Sequence, residues 1–190
     1  MNVSCRKRRE GFTISEVLLV VVIIGLVTGA GAGLYVGTFR KMQAEKAAYD
    51  FFLTAKYARL MAVEKQSQYK MEMDLANRGF YLSTVLWDQD SGQAQLEIVK
   101  NMYCKPVQFQ GDVFFESVEI APSGWETQSA GEQQQTIIFS PKGTAQASVV
   151  QIGDGKTHYT ISISPATGRA KMFSGTAENV TVGTTDLEAE

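Results

Sequence analysis

The sequence predicts an α+β fold in which one long N-terminal α-helix packs against a mainly antiparallel β-sheet head. Residues 17–39 carry no charge, and small apolar residues then recur at helical spacing as far as residue 62. Beyond about residue 66 the apolar period changes from 3.6 residues to 2, which is the period of a strand. The two periods give the order of the fold: the helix comes first and the sheet follows.

The uncharged run from Val17 to Phe39 is 23 residues long. As a helix it would reach roughly 35 Å, enough for a hydrocarbon core of about 30 Å. The basic cluster from Arg6 to Arg9 lies just before it, and the positive-inside rule then keeps the N-terminus in the cytoplasm. We therefore expect residues 12–39 to cross a membrane once and residues 40–190 to lie on the far side.

Glu16 is unusual, because it places a carboxylate directly before the first residue of the apolar run. A charged side chain at this depth costs a few kcal/mol unless something pairs with it, so such a residue is a functional candidate. We expect Glu16 to have a cationic partner.

Residues 40–65 are predicted to continue the helix as an amphipathic segment. A stripe of small and aromatic residues recurs at alternating steps of four and three, while lysines, arginines and glutamates between them supply the polar surface. The stripe predicts close packing of the helix on the sheet, and its members are Ala44, Ala48, Phe51, Ala55, Ala58 and Ala62.

The head is predicted over residues 66–173. Tyr69, Met71, Met73 and Leu75 alternate with polar residues, and a turn at residues 77–79 leads into a second strand, which together predict a β-hairpin. Further strands are predicted between turn clusters of Gly, Pro and Asp. Their ranges are Gln95–Lys100, Val113–Ile120, Thr136–Ser140, Ser148–Ile152, His158–Ser164 and Ala170–Phe173.

The N-terminal sequence Gly11-Phe12-Thr13-Ile14-Ser15-Glu16 with its basic leader and apolar helix resembles the class III signal of type IV pilins and type II secretion pseudopilins. The resemblance implies that a prepilin peptidase removes residues 1–11 by cutting after Gly11 and methylates the new N-terminal Phe12. It also implies that the Glu16 carboxylate pairs with the N-terminal amine of a neighbouring subunit during assembly. Ser15 departs from the pattern, since many members of the family carry an apolar residue there.

The second half of the chain is similar to GspH/FimT-type minor pseudopilins, through residues 137–144 and the Thr167-Gly168-Arg169 turn. This resemblance implies a pilin-like fold and a structural subunit of a type II secretion pseudopilus, which helps to export folded proteins across the outer membrane. It further implies a single-pass protein of the bacterial inner membrane with a periplasmic head, whose partners are the peptidase and other pseudopilins or pilins. Residues 88–131 lie outside the resemblance.

Two other interpretations of the N-terminus remain. One is an ordinary secretory signal peptide cut after Ala30-Gly31-Ala32, and the other is a plain membrane anchor with Glu16 at headgroup level. Neither explains the Gly-Phe junction and Glu16 together. A monomeric, membrane-anchored binding domain without a filament is a third functional class.

The net charge and the cysteine content further limit the classes of protein to which the chain could belong. The net charge is −2, and removal of the leader, with four of the 18 basic and one of the 20 acidic residues, leaves −5. This balance argues against a protein built chiefly for nucleic acid. Cys5 would leave with the leader, so we expect Cys104 to stand alone without an intrachain disulfide. The acidic stretch from 174 to 190 predicts a disordered tail.

The sequence Gly168-Arg169-Ala170-Lys171 supports an alternative function, because FimT-type minor type IV pilins that bind DNA for natural transformation carry a similar G-R-x-R motif. Arg169 and Lys171, on alternate positions, could contact phosphates. An ordinary hairpin turn with solvated charges is the interpretation that the sequence favours, since an acidic tail follows.

No catalytic or cofactor motif is complete, so we expect a protein that is not an enzyme. Gly155-Lys156-Thr157 ends like a P-loop, but Val150 occupies the position of its first glycine. Asp88–Gly92 begins like a calcium loop, but the glycine and the bidentate carboxylate of such a loop are missing. His158 has no cysteine cluster beside it and is expected to bind no metal.

Overall fold

The structure is a computed structural model that describes residues 12–87, 94–102, 104–121 and 134–177. The described residues divide into two compact units, with the boundary between Phe39 and Arg40. Within the described ranges the chain forms one helix and nine strands. These elements are α1 (Ile14–Glu64), β1 (Tyr69–Asp74), β2 (Gly79–Trp87), β3 (Ala94–Ile98), β4 (Val107–Gln108), β5 (Phe114–Ile120), β6 (Gln134–Phe139), β7 (Ser148–Gly153), β8 (His158–Ile163) and β9 (Ala170–Ser174).

In the first unit, every side chain from Phe12 to Gly29 is exposed. Among the described residues, none of the helical stretches combines the length and the apolarity that crossing a membrane requires. The membrane span over residues 12–39 stays a prediction.

Helix α1 ends where Gln66 adopts a left-handed backbone conformation, with φ of 51°. The amide of Ser67 then donates to the carbonyl oxygen of Ala62 at 3.3 Å, the long-range bond of a Schellman motif. Glycine is the usual residue at this position, and here the Gln66 side chain compensates by donating from Nε2 to the Val63 carbonyl oxygen at 2.7 Å. The chain leaves the helix in the direction of β1.

The strands form two antiparallel sheets. One has the order β3-β2-β1-β6 with β4 beside the start of β2, and the other has the order β5-β7-β8-β9. The predicted hairpin is confirmed, because β1 pairs with β2 and Asp74 lies opposite Gly79. Leu75, which we assigned to the strand, lies instead in the turn over residues 75–78. The division into two sheets and the two-residue strand β4 were not predicted.

The predicted stripe on α1 packs into the core. All six of its members have no exposed surface, and they share one apolar cluster with residues from the inner faces of both sheets. Phe51 is the largest side chain of the stripe, and its ring meets that of Phe80 edge-on at 5.1 Å between centroids. Both sheets therefore pack against helix α1.

The C-terminal boundary of the head differs from the prediction. Ser174 is the last residue of β9, and the described chain reaches Ala177. Gly175 donates from its amide to the His158 carbonyl oxygen at 2.8 Å, and its own carbonyl oxygen accepts from the Thr160 hydroxyl at 2.8 Å. The remainder of the acidic tail lies outside the described residues.

Candidate functional site

The start of α1 is organised around Thr13. Its carbonyl oxygen accepts from the amide of Glu16 at 3.1 Å, and its hydroxyl oxygen lies 3.4 Å from the same amide. Thr13 is thus the N-cap and Glu16 the third helical residue, which is the T-x-x-E spacing of a capping box. The sequence analysis missed this role, although the spacing of the two residues is visible in the sequence.

Glu16 is well placed for a charge at a helix start. Its carboxylate lies in the first turn of α1 and is exposed. The free amides of that turn make the helix N-terminus partly positive, and an acidic residue there is worth about 0.3–1 kcal/mol. The helix start therefore stabilises a carboxylate at this position, and the exposed Glu16 side chain stays accessible to a second partner.

The described segment that contains Glu16 carries no side-chain cation. Residues 12–39 contain no Lys, Arg or His, and an apolar depression of about 320 Å³ lies on the same stretch. Its lining residues are Phe12, Ile14, Val17, Leu18 and Val21. Phe12 is 80% exposed and precedes the helix, so its backbone is not tied into helical hydrogen bonds. Gly11 and the rest of the predicted leader lie outside the described residues.

Arg169 and Lys171 lie in the hairpin that joins β8 to β9, and both are exposed. Arg169 stands just before β9, while Lys171 pairs with Ser162 of β8. Gly168 forms the turn with φ of 59°, and Arg59 of α1 holds it by donating from Nε to the Thr167 carbonyl oxygen at 2.6 Å. The predicted hairpin turn is confirmed, and its two cations lie on the surface of the head.

A polar cluster that the sequence did not reveal lies in the sheet of β5, β7, β8 and β9, beside the turn between β7 and β8. Glu116 sits at a bulge in β5, and its carboxylate accepts from Nδ1 of His158 at 2.7 Å and from the amide of Gly155 at 3.0 Å. Gln151 donates from Nε2 to the same carboxylate and accepts from the amide of Ala177 at 3.1 Å. Glu116 therefore connects three strands and the start of the tail.

Two of the remaining candidates, the Gly155 turn and Cys104, have roles in the fold. Gly155 lies in a turn in which Asp154 accepts from the amides of Lys156 and Thr157, and these bonds hold the pKa of Asp154 below its usual value. Cys104 is buried with a free thiol, and burial raises its pKa. The calcium-loop candidate at residues 88–92 lies outside the described residues. Within the described ranges, no three His, Cys, Asp or Glu residues are grouped as metal ligands.

Comparison with known proteins adds a motif and a fold. Residues 6–32 match the family described as the prokaryotic N-terminal methylation motif. Two structures of the minor pseudopilin EpsH from the type II secretion system of Vibrio cholerae resemble the chain, with TM-scores of 0.50 and 0.53 at 10% and 11% sequence identity. The matches cover 70% and 73% of this chain and 97% and 99% of EpsH.

The type IV minor pilin FimU of Pseudomonas aeruginosa strain PAO1 gives a TM-score of 0.44 at 21% identity, over 68% of this chain and 87% of FimU. No curated protein sequence matches the chain. At these identities the solved structures show the fold alone, while the N-terminal motif is matched independently in the sequence. The prediction of a pilin-like α+β fold is confirmed, and the predicted N-terminal signal coincides with the matched methylation motif.

Proposed function

We propose that this type IV pilin-like protein is a minor pseudopilin, a structural subunit of a type II secretion pseudopilus and not an enzyme. The matched motif over residues 6–32 and the EpsH-like fold support this assignment. In this proposal, residues 12–39 anchor the precursor in the inner membrane, and the head lies in the periplasm. A prepilin peptidase cuts after Gly11 and methylates Phe12.

The observation that carries the proposal is the geometry at Glu16. Its carboxylate is exposed in the first helical turn, and residues 12–39 supply no side-chain cation to meet it. Cleavage after Gly11 creates one new cation, the amine of Phe12. In an apolar setting an amine and a carboxylate attract each other far more strongly than in water. The Phe12 amine of a neighbouring subunit is therefore the partner that the site lacks.

Three variants of the full chain separate assembly from helix capping. Glu16→Gln keeps the size of the side chain and removes its charge, while Thr13→Val removes the capping hydroxyl and leaves Glu16 in place. We expect both variants to be processed, and only Glu16→Gln to be lost from filaments that are isolated from the cell envelope. Leu19→Val, a conservative change at an exposed position of the same helix, serves as the control.

Two results would count against this proposal. If Glu16→Gln subunits enter filaments at the wild-type level, the carboxylate has no assembly role. If Thr13→Val and Glu16→Gln are lost equally, the motif acts through the stability of the helix start and not through a contact between subunits.

A second function, DNA binding by a FimT-type minor pilin for natural transformation, is supported by the exposure of Arg169 and Lys171 beside one turn. Two exposed cations on alternate positions can contact phosphates. The net negative charge of the chain opposes a polyanion, so secretion remains the first proposal.

A further inference from the structure

Strand β3 forms one edge of the sheet that contains β3, β2, β1 and β6. Its neighbour is β2, and among the described residues no strand pairs with its other side. The amide of Val99, directly after β3, donates to the carbonyl oxygen of Leu82 in β2 at 2.8 Å. Because bonding alternates along an antiparallel pair, the backbone groups of Ala94, Leu96 and Ile98 point away from β2. The outer side of β3 therefore presents a regular row of amides and carbonyl oxygens.

The other three edges of the two sheets are protected against a further strand. Beside β6, the amide of Gln146 donates to the carbonyl oxygen of Ile138 at 2.9 Å, so the following segment of the chain covers part of that edge. Strand β5 has a bulge and β9 carries Lys171, and both features oppose pairing between edges. Strand β3 has no lysine and no proline, and its register with β2 contains no bulge. An edge of this kind is a template for another strand.

Two apolar side chains of β3 lie on the face of the sheet that is turned away from the core. Leu96 is 63% exposed and Ile98 is 43% exposed. They pair with Val85 and Ser83 of β2, which alternate along that strand with the fully buried Leu82. The core therefore leaves both side chains uncovered, and a strand added at this edge would cover part of each.

The edge of β3 is complementary to itself. If two copies meet antiparallel about a two-fold axis at Leu96, this residue faces its own equivalent, and Ile98 faces Ala94 of the second copy. These are the residues whose backbone groups point outward, so their amides and carbonyl oxygens bond in pairs. Glu97 is the charged residue of β3, and this register places it opposite Gln95 of the second copy.

The surrounding charges also allow this register. Residues 83–87 of β2, which lie directly behind β3, are uncharged. Lys100 follows β3, and the antiparallel arrangement sets the two copies of this lysine at opposite ends of the contact. Like charges that lie directly opposite each other destabilise a strand pair, and here none are opposed within β3. The edge therefore fits a second copy of itself in backbone bonding, apolar contact and charge.

We propose that β3 pairs with β3 of a second copy of this chain, so that the β3-containing sheets of two heads join into one continuous antiparallel sheet. Backbone hydrogen bonds across the two-fold axis hold the pair together. The exposed Leu96 and Ile98 side chains of both copies then form one apolar strip on the outward face. The contact uses only residues of the head, so it does not depend on cleavage after Gly11 or on entry into a filament.

Disulfide trapping in the full chain, purified in detergent micelles, tests the pairing and its register. The parent chain carries Cys5→Ser, and Cys104 is buried, so an added cysteine is the reactive one. At the two-fold axis the two Cα atoms of residue 96 would lie about 5.5 Å apart, within the span of a disulfide. Those of residue 98 would lie roughly 14 Å apart. We expect Leu96→Cys to form an interchain disulfide at least about tenfold faster than Ile98→Cys.

Two further sets of variants control for random collision and for loss of the fold. Met102→Cys changes a residue that is 85% exposed and lies outside β3, and we expect it to link no faster than Ile98→Cys. Leu96→Lys and Leu96→Glu each oppose like charges at the axis, so neither should associate with itself, whereas a mixture of the two should associate. Co-precipitation of differently tagged chains measures this association, and circular dichroism with thermal unfolding checks that each variant folds.

Four outcomes would overturn the inference. Equal rates for the three cysteine variants would mean collision without a defined contact, and faster linkage of Ile98→Cys would exclude the register centred on Leu96. Disulfide formation no greater than in the parent chain, or no association of the mixed Leu96→Lys and Leu96→Glu chains, would show that β3 does not pair with a second copy. Loss of Gly11 cleavage, by contrast, would leave all of these results unchanged and would count only against the proposed function.

Discussion

The carboxylate of Glu116 lies 2.7 Å from Nδ1 of His158, although the two residues belong to strands β5 and β8, which are separated by β7 in the sheet. Glu116 reaches past β7 because it occupies a bulge, where the register of β5 shifts between Phe115 and Ser117. Its side chain is 11% exposed and that of His158 is 29% exposed. A carboxylate only accepts hydrogen bonds, so Nδ1 of His158 carries the hydrogen.

Glu116→Ala should destabilise the head, because it leaves three donors without their acceptor. We expect the free energy of unfolding to fall by about 2–4 kcal/mol and the melting temperature by about 5–10 °C. Hydrogen exchange at the Ala177 amide should accelerate, since Gln151 is oriented by Glu116. Glu119→Ala on the same strand is exposed and serves as the control, with a change within about 0.5 kcal/mol. Equal melting temperatures of the two variants would show that the cluster contributes nothing.

Tyr81 should make the stability of the head sensitive to alkaline pH. Its hydroxyl donates to Glu72 at 2.6 Å, and this bond together with burial raises the pKa of Tyr81 from 10.0 to about 12. The folded chain then keeps a proton that the unfolded chain loses above pH 10. The free energy of unfolding should therefore be unaffected below about pH 10 and decline between pH 10 and 12.

Tyr81→Phe isolates this effect. In a titration of tyrosinate absorbance, the wild type minus the variant should give one group that titrates near pH 12, and the variant should lose part of the alkaline decline in stability. A difference curve centred on pH 10 would mean that the bond between Tyr81 and Glu72 does not persist in solution.

Gly168→Ala should be more damaging than Gly155→Ala, although both glycines have a positive φ, of 59° and 80°. A Cβ on Gly155 meets open space, so that substitution costs only the backbone strain of about 1–2 kcal/mol. A Cβ on Gly168 would lie 2.5 Å from the carbonyl oxygen of Gly143, so the two turns must move apart. Urea unfolding compares the two variants, and equal losses would contradict the close packing of Gly168 against the backbone of Gly143.

The DNA alternative has its own test. We expect the wild-type chain to show no salt-sensitive binding to duplex DNA at physiological ionic strength, because the chain is net negative. If Arg169 and Lys171 did contact phosphates, replacing both by alanine would flatten the log-log salt dependence of binding by about two. Binding that depends on salt and on these two residues would favour DNA binding for natural transformation over the secretion function.

Much of the fold follows from local patterns in the sequence. The small-residue stripe on α1 predicted the buried face of the helix, and alternation in residues 69–73 predicted β1, because both depend on neighbours a few residues apart. The division into two sheets depends on pairing between distant segments, which a single sequence does not encode locally. Strand β4 was missed for the same reason, since two residues have no period.

The residues of the candidate site likewise fall into those that are close in the sequence, which could be predicted, and those that the fold brings together, which could not. The Gly-Phe junction and Glu16 could be recognised because they are contiguous, and the capping role of Thr13 was available from its spacing to Glu16. The Glu116–His158 pair was not predictable, since 42 residues separate its members and a bulge brings them together.

The identity of the mature N-terminus tests the central claim most directly. The full chain, coexpressed with a prepilin peptidase and extracted from membranes, is analysed by intact mass and by sequencing of its N-terminal peptide. We predict a chain that begins at Phe12 and carries one methyl group on its amine. A chain that keeps residues 1–11, or one that begins at Gly33 after the Ala30-Gly31-Ala32 sequence, would contradict the assignment of this protein as a processed pilin-like subunit.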